Sequence, residues 1–100
     1  MKNDLIAAAD SVSEFLKAFS GRSRLLLLCE LWEGEKSVGE LARSIGARDT
    51  AVSQQLAVLR REGLVRTRRD GQTIYYSLAR HEVREMLTML HRMFGSPREV

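Results

Sequence analysis

Residues Ser37 to Arg61 read SVGELARSIGARDTAVSQQLAVLRR, and they carry the most specific pattern in the chain. Ala42 lies four residues before Gly46, and Val52 lies six residues after it. Two helices that cross at a steep angle need a small residue where they touch, which Ala42 supplies. The tight turn between them needs a residue that is comfortable at positive φ, which Gly46 supplies. Val52 begins an apolar inner side of the second helix, so the spacing predicts a helix-turn-helix unit.

The ends of both helices are also marked. Ser37 can cap the first helix, and Glu40, three residues later, completes a capping-box pattern. Asp49 or Thr50 is expected to cap the second helix, and Gly63 is expected to be its C-terminal glycine. The unit is therefore predicted with its boundaries.

Three further helices are predicted around this unit. Apolar side chains recur at three- and four-residue steps from Asp4 to Phe19 and from Arg80 to Phe94, which predicts two amphipathic helices. The segment from Arg22 to Trp32 is apolar nearly all round, which predicts a buried helix. The first and last helices are more apolar than one small core can cover, so we expect them to form a dimer interface. Its predicted residues are Leu5, Val12, Leu16, Val83, Met86, Leu90 and Met93.

A β-hairpin is predicted after the helix-turn-helix unit. Leu64 to Arg69 and Gln72 to Leu78 alternate apolar or β-branched with polar side chains, and the Asp70-Gly71 dipeptide between them favours a tight turn. The predicted fold is mostly α with a β-hairpin wing, a winged helix-turn-helix in the order α-α-α-α-β-β-α. We expect one domain over residues 1–100, with a core from about 4 to 94, that forms a homodimer through its first and last helices.

Length and composition narrow the class of protein. One hundred residues suit a single small domain, and 44% hydrophobic with 29% charged residues excludes a disordered or collagen-like chain. The single cysteine, Cys29, excludes an intramolecular disulfide scaffold and a four-cysteine zinc site. Acidic residues interrupt the N-terminal segment, so it is not a secretion signal, and no apolar stretch reaches the ~18 residues of a membrane span. We expect a soluble cytoplasmic protein with no membrane partner.

Basic charge is concentrated in one part of the chain. Between Arg48 and Asp70 there are six arginines and three acidic residues, so this segment holds the whole net charge of +3. Arginine side chains fork onto phosphate groups and guanine edges, and the bias therefore points towards nucleic acid. A solvated charged face is the alternative that charge alone leaves open.

The outward face of the second motif helix presents short hydrogen-bonding side chains and an arginine, whereas an ordinary solvated face usually carries Glu and Lys. A helix fits into the major groove of DNA, where residues near its N-terminus reach base edges. Arg48, just before the helix, and Gln55, beside this face, are further candidates. The residues of this region predicted to contact DNA are Arg48, Thr50, Ser53, Gln54, Gln55 and Arg61.

The predicted wing is the second candidate contact with DNA. It carries Arg66, Arg68, Arg69 and Gln72 about its tip, and clustered arginines on a projecting hairpin suit phosphates or the minor groove. A hairpin that only covers the core would explain the apolar and aromatic residues of the wing but not these arginines. We therefore expect the four residues to hold the DNA backbone or the minor groove.

Cysteine and histidine give weaker signals. Cys29 lies in an apolar helix, where a free cysteine is commonly a small core residue; a thiol that senses an oxidant or a sulfur species is the alternative. His81 and His91 are ten residues apart, which does not match a helical pair of metal ligands. The sequence contains no catalytic set and no glycine-rich phosphate loop, so we expect no enzyme activity, cofactor or metal.

Taken together, these segments resemble the ArsR/SmtB family of bacterial regulators. The matching runs are Gly21–Leu28, Ser37–Ala42, Val52–Leu56, Leu59–Val65 and Gln72–Leu78, and the resemblance covers about residues 12–94. It implies a winged-helix homodimer that represses transcription at a palindromic operator. An inducer of unknown chemistry would weaken its DNA binding.

The metal sites of this family are not matched. Members that sense arsenic or lead-type ions have a Cys-Val-Cys run where this chain reads Ser37-Val38-Gly39, so the thiolates that bind soft metals are missing. Other members place zinc ligands on the last helix. The matching positions here are Arg80, Glu82, Met93 and Ser96.

The closer likeness is to the sulfide- and redox-responsive, BigR/HlyU-like branch of the family. In that branch a cysteine matching Cys29 pairs with a second cysteine near the end of the last helix. The second position here is Gly95, so the intrachain bridge is not expected. Cys29 acts alone, or the protein has no small-molecule inducer, or a sensing residue was lost.

The combined prediction is a sequence-specific regulator of transcription, expected to be a repressor, that binds double-stranded DNA as a homodimer. It would work without metal, and any thiol response would use Cys29. Two alternatives stay open, a winged helix used for protein–protein assembly and a non-specific DNA-binding module.

Overall fold

The computed structural model describes residues 2–95; Met1 and residues 96–100, with them Ser96 and the outermost ends of the predicted domain, lie outside it. The order of the elements within the described part agrees with the predicted fold except at two places, because the first helix is divided and a short strand is added. In chain order the elements are α1 (Lys2–Ala7), α2 (Ala9–Lys17), α3 (Arg22–Glu33), β1 (Lys36–Ser37), α4 (Val38–Ile45), α5 (Asp49–Arg61), β2 (Val65–Asp70), β3 (Thr73–Leu78) and α6 (His81–Phe94).

The predicted first helix is in fact two helices. The break lies at Ala8, whose φ of −95° and ψ of 9° depart from helical values. The Ala8 N–H donates to the carbonyl oxygens of Asp4 and Leu5, both at 3.1 Å, so the hydrogen-bond spacing shortens there. α2 then ends at Lys17 rather than at Phe19. Because Leu5 is 63% exposed, core packing does not hold α1 in line with α2.

α3 runs through the hydrophobic core. Leu27, Leu28 and Leu31 have no exposed surface, whereas Leu25 and Cys29 are only half-buried. The prediction of a buried helix is therefore confirmed for one face of α3. The rest of the core comes from the end of α2, from α4 to α6 and from the hairpin: Ala18, Leu41, Ala42, Val52, Leu56, Leu59, Leu64, Val65, Leu78, Val83 and Leu87.

α4 and α5 form the predicted helix-turn-helix. Ala42 is buried, with 3% of its surface exposed. Gly46 ends α4 with φ 69° and ψ 40°, a left-handed conformation that glycine adopts without the steric cost of a side chain. The Ala47 N–H donates to the Ala42 carbonyl oxygen at 3.0 Å and closes the turn. The roles predicted for the small residue and for the glycine are confirmed.

The two helices begin differently. Ser37 Oγ accepts from the Glu40 N–H at 3.2 Å, and Glu40 Oε1 accepts from the Ser37 N–H at 2.9 Å, so the predicted capping box is confirmed. α5 begins at Asp49, and Arg48 occupies the capping position without a side-chain hydrogen bond. The predicted cap at Asp49 or Thr50 is therefore wrong. Asp49 instead lies in the first turn, where its charge is favourable to the helix dipole.

The sheet has three antiparallel strands in the order β1-β3-β2. β1 was not predicted, because a strand of two residues is too short to show alternation. At the tip of the hairpin Asp70 pairs with Thr73, so the loop consists of Gly71 and Gln72 rather than of Asp70 and Gly71. Gly71 has φ 63°, as the first loop position of a type II′ turn requires.

α6 contributes both to the core and to the surface. Val83 and Leu87 have no exposed surface, because they pack inside the protomer. Val83 is therefore removed from the predicted dimer interface, since a fully buried side chain offers nothing to a partner. Met93 and Phe94, at the end of the helix, are 62% and 72% exposed.

Candidate nucleic-acid interface

The outward side of α5 is a continuous polar face. Val52, Leu56 and Leu59 are at most 1% exposed, and these three side chains fix which side of the helix faces inward. Residues three, four and seven positions apart share one side of a helix. The side opposite the buried residues carries four of the predicted contact residues, all exposed: Thr50, Ser53, Gln54 and Arg61.

Arg48 and Gln55 lie at the margins of this face. Arg48 is exposed directly before the first turn of α5. Gln55 is half-buried and lines a small cavity with Leu27 and Ile45. The structure therefore brings Arg48 beside the polar face, whereas Gln55 is turned partly towards the body of the protein.

The end of α5 leads directly into the wing. The Leu64 N–H donates to the Leu59 carbonyl oxygen at 2.9 Å, and the Gly63 N–H donates to the Arg60 carbonyl oxygen at 3.0 Å. This pair of bonds is a Schellman motif, which needs the φ of 77° that Gly63 adopts. Leu64 and Val65 follow at once and are buried in the core. The polar face of α5 and the first residues of the wing are thus held by one turn.

The wing arginines are divided between the two sides of the hairpin, because side chains alternate along a strand. Arg66 and Arg68 lie on one side, which we call the outer side of the wing. Arg69 lies on the other side, and Tyr76 of β3 shares it. Tyr76 lines a groove with the last turns of α5, so we call this second side the α5 side of the wing.

Arg68 is engaged within the protein. Its Nε donates to Glu35 Oε2 at 3.0 Å, and its Nη2 donates to Glu35 Oε1 at 2.8 Å. Its guanidinium carbon lies 4.9 Å from the centre of the Tyr75 ring, a cation–π distance. The hydrogen bond from Arg68 lowers the pKa of the Glu35 carboxyl below its ordinary value of 4.5, and the same bond raises the pKa of Arg68. Both groups are therefore charged at neutral pH.

Arg69 makes fewer contacts within the protein than Arg68 does. Its Nε donates to the Gly71 carbonyl oxygen at 3.1 Å, within the turn of the hairpin. Among residues 2–95, the ion pairs of the wing involve Arg68, and none involves Arg66 or Arg69. Gln72 is exposed in the loop. Arg66 and Gln72 therefore present their polar groups to solvent, and Arg69 presents its two Nη groups.

Glu35 and Tyr75 were not among the predicted site residues. Glu35 is 33 residues away from Arg68 in the sequence, and no local pattern marks a contact over that distance. A two-residue turn at Asp70-Gly71 would pair Arg68 with Thr73. The turn lies one residue later, which brings Tyr75 opposite Arg68. A correct prediction of the turn would have revealed the contact with Tyr75 but not the contact with Glu35.

Cys29 lines an apolar groove between α3 and α6. Gly95, the position matched to the second cysteine of the redox-responsive branch, lines the same groove. Burial raises the pKa of the Cys29 thiol above 9.0, and the negative charges of Glu30 and Glu33 raise it further. The thiol is therefore protonated at neutral pH, a state that disfavours nucleophilic reaction.

The outer helices expose apolar surface on the protomer. Three of the predicted interface residues are strongly exposed, at 63%, 48% and 62%: Leu5, Leu16 and Met93. Three others are half-buried: Val12, Met86 and Leu90. Exposed apolar residues outside the predicted set are Ile6, Met89 and Phe94. Large exposed apolar side chains in this number are typical of an association site.

Residues 2–95 contain neither a metal-binding cluster nor a membrane-spanning helix. No group of three or more His, Cys, Asp or Glu side chains is arranged there to hold a metal ion. Every helix there is too short or too polar to traverse a lipid bilayer.

The chain is similar to known regulators in sequence. Residues 22–67 match the family described as bacterial regulatory protein, arsR family. The chain is 47% identical to the transcriptional activator HlyU of Vibrio cholerae over 79 residues, which cover 79% of this chain and 73% of the relative.

Solved structures agree with the fold. The crystal structure of the transcriptional repressor BigR from Xylella fastidiosa superposes with a TM-score of 0.88 at 40% identity, over 94% of this chain and 96% of that chain. A homodimeric winged helix-turn-helix DNA-binding domain from Mycobacterium bovis gives a TM-score of 0.76 at 32% identity, over 88% of this chain and 82% of that chain. The predicted winged helix-turn-helix is therefore confirmed, and the second structure supports a homodimer.

Proposed function

Because the chain belongs to the arsR family of bacterial regulatory proteins, we propose that it acts as a homodimer on a palindromic operator in double-stranded DNA. Like its relatives, it is a DNA-binding regulator of transcription and not an enzyme. One observation carries the operator proposal. The polar face of α5 stands opposite three buried side chains, and the basic wing follows it through a single fixed turn.

α5 is the proposed reader of base edges. Gln54 suits adenine, to which a glutamine side chain donates and from which it accepts, and the hydroxyl groups of Thr50 and Ser53 suit either purine or pyrimidine edges. Arg48 and Arg61 flank these residues and suit guanine or phosphate. Gln55 is half-buried at the margin of this face, and its proposed contact with DNA is the weaker one.

The wing is the proposed contact to the DNA backbone or the minor groove. Phosphate contacts position a protein on DNA without reading sequence, and clustered arginines favour them. The four proposed residues have unequal access, because the hairpin divides them between its two sides: Arg66, Arg68, Arg69 and Gln72.

The exposed apolar surface of α1, α2 and α6 is the proposed interface of the homodimer. A two-fold dimer presents two copies of α5, which matches a palindromic operator. Met93→Asp, which places a charge on this surface, should convert the dimer to monomer in analytical ultracentrifugation and weaken operator binding. Arg92→Ala, at a neighbouring exposed position, is the matched control. A dimer that survives Met93→Asp and also Leu16→Asp would place the interface elsewhere.

The operator proposal is tested by a salt titration of binding to the duplex upstream of the gene, beside a scrambled duplex of equal length. Phosphate-dominated binding falls linearly with salt on logarithmic axes for any sequence, whereas base readout separates the two duplexes. We expect the upstream duplex to bind at least ~100-fold tighter at physiological salt, as specific regulators do. Equal binding of both duplexes would contradict operator recognition at this site and favour non-specific or assembly functions.

We further propose that the protein represses transcription, in the cytoplasm, where the bacterial chromosome lies. The two named relatives are an activator and a repressor. Transcription by purified RNA polymerase from a promoter that overlaps the operator should fall as the protein is added. A rise would make this chain an activator. A thiol response through Cys29 is a separate hypothesis, independent of the direction of regulation.

A further inference from the structure

The contact between Glu35 and Arg68 joins two parts of the molecule that are distant in sequence. Glu35 lies in the connection between α3 and β1, and Arg68 lies in the middle of β2. Both carboxylate oxygens of Glu35 accept from the guanidinium, at 3.0 and 2.8 Å. Bidentate pairs of this kind fix orientation as well as distance. The wing is therefore tied to the body of the protein at a further place, beyond the turn at Gly63 and the pairing of β3 with β1.

The pair uses the part of Arg68 that would otherwise hold phosphate. A guanidinium binds phosphate through the same fork of parallel N–H groups that here faces Glu35. The ring of Tyr75 covers one face of the guanidinium at 4.9 Å, and Asp70 Oδ2 lies 4.0 Å from the remaining Nη1. Arg68 thus lies beside two carboxylates and an aromatic face, which compensate its charge although the side chain remains 53% exposed.

Arg69 is in the opposite situation. It lies on the α5 side of the wing, where Tyr76 and the last turns of α5 line a groove. Its only side-chain bond among the described residues goes to the Gly71 carbonyl oxygen, a neutral acceptor that leaves its charge uncompensated. Neighbouring arginines in sequence therefore differ in what they can offer to DNA.

We propose that Glu35 is a positioning residue that holds the Arg68 guanidinium away from DNA, so that of the two neighbouring arginines Arg68 and Arg69 only Arg69 contacts phosphate. This assignment rests on the proposed DNA-binding function and refines it. Glu35 thereby limits the number of sequence-independent contacts that the wing makes.

The proposal predicts how the salt dependence of binding changes in three variants. Each phosphate contact contributes ~0.9 to the slope of log affinity against log salt on duplex DNA. Arg68→Gln should leave the slope per protomer unchanged, and Arg69→Gln should make it shallower by ~0.9. Glu35→Gln should release Arg68 onto a phosphate and steepen the slope by ~0.9 on operator and scrambled duplex alike.

Two controls separate a released arginine from a simple change of net charge. Glu33→Gln removes a carboxylate two residues away and keeps the Glu35–Arg68 pair. Lys36, the ion-pair partner of Glu33, stays paired with Glu30, so the slope should remain near that of the parent. The double variant Glu35→Gln/Arg68→Gln lacks the arginine that would be released, and its slope should return to the parent value. Circular dichroism should show folded protein for every variant. The side chains of Glu35 and Arg68 lie at the surface, 35% and 53% exposed, so their replacement leaves the core intact.

The opposite pattern would overturn the proposal. If Arg68→Gln makes the slope shallower by ~0.9 while Glu35→Gln does not steepen it, then Arg68 contacts phosphate and Glu35 aims it there. A steeper slope that persists in the double variant would assign the effect of Glu35 to charge alone. A different result would contradict the proposed function, namely equal binding of both duplexes by the parent protein. That result is independent of the slopes of the variants. A parent that binds neither duplex would overturn both.

Discussion

α5 and the wing both present polar and basic side chains to solvent, but their side chains are made available in different ways. On α5 the exposed set follows from helical periodicity, because three buried residues on one side fix the other side. On the wing, strand alternation separates the arginines, and a residue from another part of the chain then engages one of them. The availability of these side chains is therefore a local property of the helix and a tertiary property of the hairpin.

The largest expected effect concerns the buried side of α5. Leu56→Ala should lower the free energy of unfolding by ~2–5 kcal/mol, because it leaves a cavity in the core. Ala57→Ser, at the next and exposed position, should change it by less than ~0.5 kcal/mol. Denaturant unfolding at a fixed protein concentration measures both. Similar losses for the two variants would mean that the buried side does not fix the orientation of α5.

The next effect concerns the outward side of α5 and compares two neighbouring glutamines. Gln54→Ala should reduce the discrimination between operator and scrambled duplex by ~1–3 kcal/mol, because a direct contact to a base is lost. Gln55→Ala should reduce it less, since this side chain is half-buried and turned partly towards the body. Gel-shift titrations on both duplexes give the two values. A larger effect at Gln55 would reverse the assignment.

A third prediction concerns the protonation of the wing contact. The pKa of Glu35 is lowered in the folded protein by its hydrogen bond to Arg68, so the pair stabilises the wing above the ordinary pKa of 4.5 and is lost as pH falls through the lower folded value. DNA binding should therefore keep the same salt slope from pH 6 to pH 8. An NMR titration of the Glu35 carboxyl should give a lower midpoint in the parent than in Arg68→Gln. Equal midpoints would show that the pair does not persist in solution.

The smallest effect is expected at Cys29. Its raised pKa leaves little thiolate at pH 7, so iodoacetamide should modify the folded protein more slowly than it modifies a free cysteine. The rate should rise about tenfold per pH unit up to pH 9, because the thiolate is the reacting species. Mass spectrometry follows the modification, with Cys29→Ser as the unmodified control. A rate above that of free cysteine at pH 7 would support the thiol-sensor hypothesis.

The modified protein also allows a test of whether Cys29 affects DNA binding. A sample treated with persulfide or peroxide until Cys29 is modified should then be tested for operator affinity. Unchanged affinity would remove Cys29 as the sensing residue, and weakened affinity would establish a response by a single thiol.

Much of the fold could be predicted because its signals are local. The small residue at Ala42, the positive φ of Gly46 and the pairing of Ser37 with Glu40 each concern residues within one or two helical turns. The polar face of α5 is also a local signal, because it follows from the periodicity of the helix. Errors arose where local signals were weak or ambiguous, as at the hairpin turn, where both Asp70-Gly71 and Gly71-Gln72 are acceptable loops and strand pairing selects the second.

Other features depend on contacts between distant parts of the chain. The apolar stripe of α6 does not show that Val83 packs inside the protomer while Met93 stays exposed. Both are apolar residues of the same predicted stripe, and they differ in what packs against them. The partner of Arg68 lies 33 residues away, and the exposure of that arginine cannot be inferred from the wing alone. Spacing and turn chemistry are encoded in neighbouring residues, so the chain reveals its helices and candidate DNA-reading face directly. Which charges are engaged within the protein is settled by packing, because packing brings together side chains that no local pattern relates.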